Sequence, residues 1–216
     1  ALRRMAVLKP VKLVVTNWPE GHVEMVELVN NPENPADGSR TVAFTAEVWI
    51  EDDDFKAEPP PKYFRLTPGS EVRLRGAFYV KCTGFTADNE GNVIEVQCTY
   101  DPDTRGGSAP DGRKVKATIH WVSTAHAVDI EAAQYERLFT TETPGEATGE
   151  PMDDLDRDSK RVLSGKAEAA MNGGSPGQVV QFERLGYYAH DPIVSGLFHR
   201  TVGLKDEWAN VQKRKA

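Results

Sequence analysis

Short runs of β-branched and aromatic residues, each closed by turn chemistry, recur along almost the whole chain and leave little room for long helices. They fall at residues 11–15, 23–28, 41–50, 71–74, 78–82, 93–100, 115–121 and 179–188. Between them stand Trp18-Pro19-Glu20-Gly21, Asn34-Pro35-Ala36-Asp37-Gly38, Thr67-Pro68-Gly69 and Asp101-Pro102-Asp103. Gly and Pro there supply the backbone angles of tight turns. The pattern predicts an all-β protein, a sandwich or one or two barrels. Residues 153–171 are the best helix candidate, although Ser164-Gly165 interrupts them. Two exposed loops are predicted, at 101–112 and at 140–158.

The length of 216 residues allows one large domain or two small ones. No apolar run approaches the roughly 20 residues of a membrane span or the roughly 7–15 of a signal segment, so a soluble, cytoplasmic protein is expected. The chain opens at Ala1 without an initiator Met and reads as part of a longer protein. Cys82 and Cys98 sit eight residues on either side of Glu90, in the turn Ala87-Asp88-Asn89-Glu90-Gly91-Asn92. A hairpin there would bring them together, and two reduced, semi-buried thiols are expected.

Several chemistries are missing their residues. The five histidines, His22, His120, His126, His190 and His199, have no Cys or carboxylate at metal-ligand spacing, so no metal site is expected. Gly106-Gly107 is not followed by the Gly-Lys-Ser/Thr of a phosphate loop, and no Ser lies in a Gly-x-Ser-x-Gly elbow. Asp52, Asp53 and Asp54 read as a solvated bend, because consecutive carboxylates splay apart. His120-Trp121 with Ser123 and His126 is the nearest approach to a nucleophilic constellation, and without an oxyanion loop it reads as a strand end. No catalytic residue is assigned.

The net charge of -7 conceals an uneven distribution. Residues 47–58 sum to -5 and residues 142–158 to -6, whereas residues 60–81 sum to +4. The acid is expected in turns and loops and the base on a strand. In Val72-Arg73-Leu74-Arg75 the period-two alternation sends the apolar pair to one face and both guanidiniums to the other. The planar arginine fork suits phosphates and base edges, and Tyr63, Phe64, Phe78 and Tyr79 are candidate stacking surfaces. A β-barrel interaction module that binds no RNA would also suit the low pI of about 5.3.

A series of segments resembles, in order, the C-terminal anticodon-binding region of bacterial-type glutaminyl-tRNA synthetases. They run from Met5-Ala6-Val7-Leu8-Lys9-Pro10-Val11-Lys12-Leu13-Val14 through Gly38-Ser39-Arg40, Glu47-Val48-Trp49-Ile50, Glu71-Val72-Arg73-Leu74-Arg75 and Cys98-Thr99-Tyr100-Asp101. They continue with Asp111-Gly112-Arg113-Lys114-Val115-Lys116, Ile119-His120-Trp121-Val122-Ser123, Gln181-Phe182-Glu183-Arg184 and the segment that includes Trp208. Archaeal and eukaryotic-type glutamyl-tRNA synthetases share the architecture and are the alternative. The resemblance implies two β-barrels, a proximal one from residues 1–24 and 113–216 and a distal one from 25–112. It also implies sheet, not helix, within residues 153–177.

By position, Arg3, Gln181, Glu183 and Arg184 match residues around the central anticodon uridine. Arg65, with Lys62 in the same loop, matches a contact to the third base, and Arg73 and Arg75 match contacts to the first. Glu33 and Glu207 stand where the family places an Asn and a Thr near the first base, and Phe64 replaces a basic residue. The implied partners are glutamine tRNA and a catalytic domain of the same protein. ATP and Mg²⁺ would belong to that domain, with no cofactor in this region.

Overall fold

The computed structural model describes residues 1–204; Glu207 and Trp208 lie outside the described residues. Among the described residues there are sixteen strands and, beyond them, only short 3-10 turns, so the fold is all-β. In chain order the strands are β1 (Leu2–Arg4), β2 (Ala6–Val7), β3 (Pro10–Val15), β4 (Glu24–Val29), β5 (Ser39–Phe44), β6 (Glu47–Glu51), β7 (Glu71–Leu74) and β8 (Tyr79–Ala87). They continue as β9 (Val93–Asp101), β10 (Thr118–Ile119), β11 (Val122–Ser123), β12 (Val128–Tyr135), β13 (Lys160–Ala167), β14 (Val179–Phe182), β15 (Gly186–His190) and β16 (Leu197–Gly203).

Two seven-stranded sheets form, with orders β1-β14-β15-β16-β12-β13-β2 and β10-β7-β8-β9-β3-β6-β11. In each, the two edge strands are consecutive in sequence. Only Met5 separates β1 from β2, and only His120 and Trp121 separate β10 from β11. One stretch of chain thus changes partners half way and draws the edges together, giving a nearly closed barrel and a half-barrel. Exposed sheet edges, which invite aggregation, are thereby minimised. The β4–β5 hairpin forms a separate two-stranded sheet whose Val26, Leu28, Val42 and Phe44 reach into the larger core.

The sheets change over at residues 8–9 and 124–127. The reason is strand pairing: β3 lies between β6 and β9, and residues 118–123 pair with β7 and β6. The helix candidate at residues 153–171 is overturned. Lys160–Ala167 pairs along its full length with β12, flanked by single 3-10 turns at Pro151–Asp154 and Ala169–Met171. Gly165 permits this, since a Cβ there would stand 2.6 Å from the Val7 carbonyl oxygen of the neighbouring strand. The residue that interrupts the helical pattern is the one the sheet requires.

The larger core is aromatic. Trp18 meets Phe44 edge-on at 4.8 Å and Phe78 at 5.6 Å, and Trp121 meets Phe44 at 4.8 Å, all in the edge-to-face arrangement that ring quadrupoles favour. The smaller core stacks Phe182 on Tyr188 at 4.3 Å. Residues 5–8 serve both: Met5 and Val7 belong to the larger core, Ala6 and Leu8 to the smaller. Strand alternation alone makes this division. Cys82 and Cys98 are directly opposed across the β8–β9 hairpin, both buried and not joined by a disulfide. The hydrogen bond from Cys98 holds the Cys82 thiol down to about 7, while that same contact and burial push Cys98 up.

Glu168, with its side chain wholly buried, ties the β4–β5 hairpin to the smaller core. It receives Arg40 through both Nε and Nη2, the latter at 2.9 Å, and the Met5 amide at 3.1 Å. Arg4 stands 3.7 Å away and donates to Asn30 Oδ1 at 2.8 Å. Burial, with Arg40 alongside, lowers the Arg4 pKa, opposed by Glu168. Elsewhere Asp191 accepts from the Ile193 and Val194 amides at 2.7 Å and pairs with His199 Nε2 at 2.7 Å, anchoring the loop before β16.

Two consequences are measurable. Glu168→Ala strands Arg40 and Arg4 without their buried counter-charge and is expected to cost about 3–5 kcal/mol in urea unfolding, with part recovered in the Glu168→Ala, Arg40→Ala double variant. The His199 contact, with the two amides, holds the Asp191 carboxyl down from its ordinary 3.8 to about 2. Its contribution favours the folded state above about pH 4 and disappears as pH falls through about 2. Hydrogen exchange at the Ile193 and Val194 amides should stay protected at pH 4 and lose that protection towards pH 2.

Candidate nucleic-acid interface

The residues singled out from the sequence occupy three neighbouring places. On β1 and β14, which run parallel, Arg3 pairs in register with Gln181, so both point to the same face. Val180 and Phe182 point the other way, into the smaller core. Gln181 and Lys62 have no side-chain partner among the described residues. Glu183 and Arg184 follow in the β14–β15 turn, which is locked by the Glu183 amide on the Arg4 carbonyl at 2.9 Å.

Arg184 adopts φ 69, a left-handed conformation that costs an L-residue roughly 1–2 kcal/mol. What over-determines it is Asp54. Its fully buried carboxylate accepts Arg184 Nη1 at 2.7 Å and Nη2 at 2.6 Å from across the two sheets. Burial works against the Arg184 charge, but the bonds to Asp54 outweigh it and the pKa rises. Asp54 Oδ1 also lies 3.4 Å from Arg65 Nη1, which donates to the Asp53 carbonyl at 2.9 Å. Tyr63 donates to that carbonyl too, and burial, with Asp54 adding to it, pushes its phenol up. Lys62, exposed and at φ 65, precedes Tyr63.

The third place is β7. Val72 and Leu74 are buried, and Arg73 and Arg75 share the opposite face, as the alternation predicts. Arg75 Nε pairs with Glu183 at 2.9 Å. Arg73 donates to the Tyr79 hydroxyl at 3.1 Å and lies over its ring. Arg73, Arg75, Glu183, Glu27, Thr118 and Pro32 line a groove of about 550 Å³. Arg3 and Arg73 each bury Nε with no acceptor among the described residues. A buried donor left unpaired costs about 1–3 kcal/mol.

Two expectations are corrected here. Asp54 is not on a solvated bend. The three aspartates form one 3-10 turn that splays Asp52 and Asp53 outward and turns Asp54 into the structure. Phe78 and Tyr79 are core residues, 4% and 1% exposed, and offer no stacking face; Phe64, 52% exposed beneath the Lys116 ammonium at 5.0 Å, does. Asp54 engages both Nη groups of Arg184, and Arg75 gives its Nε to Glu183. Asp54 carried no sequence signal beyond its acidic run, and its partner is 130 residues away.

Ser123 Oγ lies 3.1 Å from His126 Nδ1 and 2.9 Å from Thr45 Oγ1, but the serine is buried. The one carboxylate lining the adjoining cavity, Glu168, is committed to Arg40 and the Met5 amide. The geometry is that of a packed strand end. Among the described residues no group of three or more His, Cys, Asp or Glu could hold a metal. No described helix is long and apolar enough to cross a membrane.

An arginine-bearing groove at the junction of two β-barrels suits single-stranded nucleic acid, and comparison with known proteins gives the class. Two family profiles, each described as the anticodon-binding domain of class I (E and Q) tRNA synthetases, match residues 1–101 and 118–191. The chain belongs to this family of tRNA anticodon-binding regions. Proteins called glutamine–tRNA ligase are 48% identical in Rhodopirellula baltica, over 99% of this chain and 36% of that protein, and 50% identical in Nitrobacter hamburgensis, over 98% and 38%. One from Vibrio parahaemolyticus is 45% identical over 99% and 39%. The chain spans somewhat over a third of the length of these relatives.

Gly107 gives a local test of the groove. At φ 90 its Cβ would stand 2.8 Å from Arg73 Cδ and 2.9 Å from Nε, whereas Gly106, at φ 79, has open space. Both Ala variants bear the left-handed backbone cost of roughly 1–2 kcal/mol. Only Gly107→Ala is expected to displace Arg73 as well, giving a larger loss in urea unfolding and a lower affinity for tRNA than Gly106→Ala.

Proposed function

We propose that the chain is the anticodon-binding region of a glutamine–tRNA ligase of the cytoplasm, reading the anticodon loop of glutamine tRNA on behalf of a catalytic part of the same protein. ATP and Mg²⁺ belong to that catalytic part. The names of the relatives support the glutamine assignment. The observation that carries the reading is the convergence, at the junction of the two sheets, of Arg3 with Gln181, Arg184 with Arg65, and Arg73 with Arg75 and Glu183. These sites lie on separate elements facing one seam, the arrangement a splayed loop of unstacked bases requires.

The roles follow from what each group has left to offer. Arg3 and Gln181 present donors and an amide to the central base, and Arg73 brings its guanidinium to the first. Arg75 and Glu183 act as a pair, presenting a donor edge and an acceptor edge together. Arg65 and Lys62 face the third base, and Phe64 supplies an aromatic surface beside them. The acids at residues 142–158 repel RNA elsewhere and limit adhesion outside the seam.

At fixed salt, an anticodon stem-loop with a central U should bind about ten-fold or more tightly than the same stem-loop with C there, as one well-made base contact is worth about 1–3 kcal/mol. Equal affinities would falsify the specific reading. Arg73→Ala should weaken binding by about the same 1–3 kcal/mol while leaving the unfolding midpoint nearly unchanged. Unaltered RNA affinity in that variant would favour an interaction module with no RNA role.

A further inference from the structure

Asp54 touches one cation from each half of the seam. Its Oδ2 accepts Arg184 Nη1, while its Oδ1 is shared between Arg184 Nη2 at 2.6 Å and Arg65 Nη1 at 3.4 Å. Arg184 comes from the β14–β15 turn of one sheet and Arg65 from the loop before β7 of the other. The remaining neighbours leave little freedom. His120 Nδ1 lies 3.3 Å from Arg184 Nη1, and the Tyr63 hydroxyl is held by the Asp53 carbonyl. His120 Nε2 faces Glu51, whose Oε1 and Oε2 already accept the Leu8 and Lys9 amides.

One buried charge is therefore divided between two guanidiniums in a region where hydrogen bonds polarise one another. When an acceptor on a ligand draws Arg65 outward, Oδ1 is left wholly to Arg184. The Arg184 pair tightens, and the left-handed turn that carries it is held more firmly. We propose that Asp54 is a positioning residue that couples the third-base site to the central-base site, so that filling one favours the other. This rests on the anticodon-binding reading above and adds a coupling to it. Linkage makes the effect reciprocal.

The experiment is a cycle on the ligand. Four anticodon stem-loops are bound to the chain at fixed salt: intact, abasic at the central position, abasic at the third, and abasic at both. If the sites are coupled, the loss for the double lesion is smaller than the product of the single losses, by about five-fold or more. In Asp54→Asn, which keeps the shape and removes the charge, the losses should multiply. Should Asp54→Asn fail to fold, Arg65→Gln takes its place, because it leaves the Asp54–Arg184 pair intact; it too should abolish the coupling. Losses that multiply in the unaltered chain overturn the inference, as does coupling that persists in the variant. A purely structural role for Asp54 would weaken all four complexes alike and leave the ratio unmoved. If no stem-loop binds with any base dependence, the anticodon reading itself fails, a result distinguishable from base-dependent binding without coupling.

Discussion

Residues 5–8 alternate between two hydrophobic cores, and almost everything else in the molecule follows from that sharing. A strand buried on both faces normally lies between a sheet and its covering layer. Here the two faces belong to different barrels: Met5 and Val7 pack into one, Ala6 and Leu8 into the other. The barrels cannot move apart without exposing apolar surface in both, at about 25 cal/mol per Å². Glu168 with Arg40 on one side, and Asp54 with Arg184 on the other, fasten the same junction with charge. Buried pairs of this kind contribute little net stability relative to apolar packing, but breaking one partner is costly, so they define a geometry more than they strengthen it.

That geometry lets the interface lie on a seam rather than on a sheet face. Arg3 and Gln181 come from a parallel strand pair of one barrel, Arg73 from β7 of the other and Arg75 from the turn after it, and Arg184 and Arg65 from the β14–β15 turn and the loop before β7. Rigid strands set the spacing, and irregular segments supply the reach. The seam also holds acid. Asp54 occupies the Arg184 fork and Glu183 takes the Arg75 Nε, leaving fewer and better-aimed donors.

The all-β class was legible because period-two patterning and turn residues are local, and so was the shared face of Arg73 and Arg75. The ordered motifs from Met5 to Phe182 made the family readable. Three things were not legible, each for a long-range reason. Whether Lys160–Ala167 is strand or helix is decided by β12 and by the Val7 carbonyl pressed against Gly165, neither of which is local. The inward turn of Asp54 depends on Arg184, far along the chain. The burial of Phe78 and Tyr79 depends on Trp18, Tyr100 and Thr104 closing over them. Charge counts misled similarly: the run at residues 47–58 contains Glu51 and Asp54, both of which are buried.

The parallel pairing of β1 with β14 has a consequence for how the protein is made. Residues 2–4 find their partners only at 180–182, and β2 only at 166–167. At synthesis rates of about 5–20 residues per second, the first strands leave the ribosome roughly ten to thirty seconds before those partners exist. During that interval the sheet built from residues 10–123 can assemble, while Leu2, Met5, Ala6 and Val7 wait for partners not yet made. Assembly of the second sheet is then a late, long-range closure, and this interval is when a nascent chain of this fold most needs protection from its neighbours.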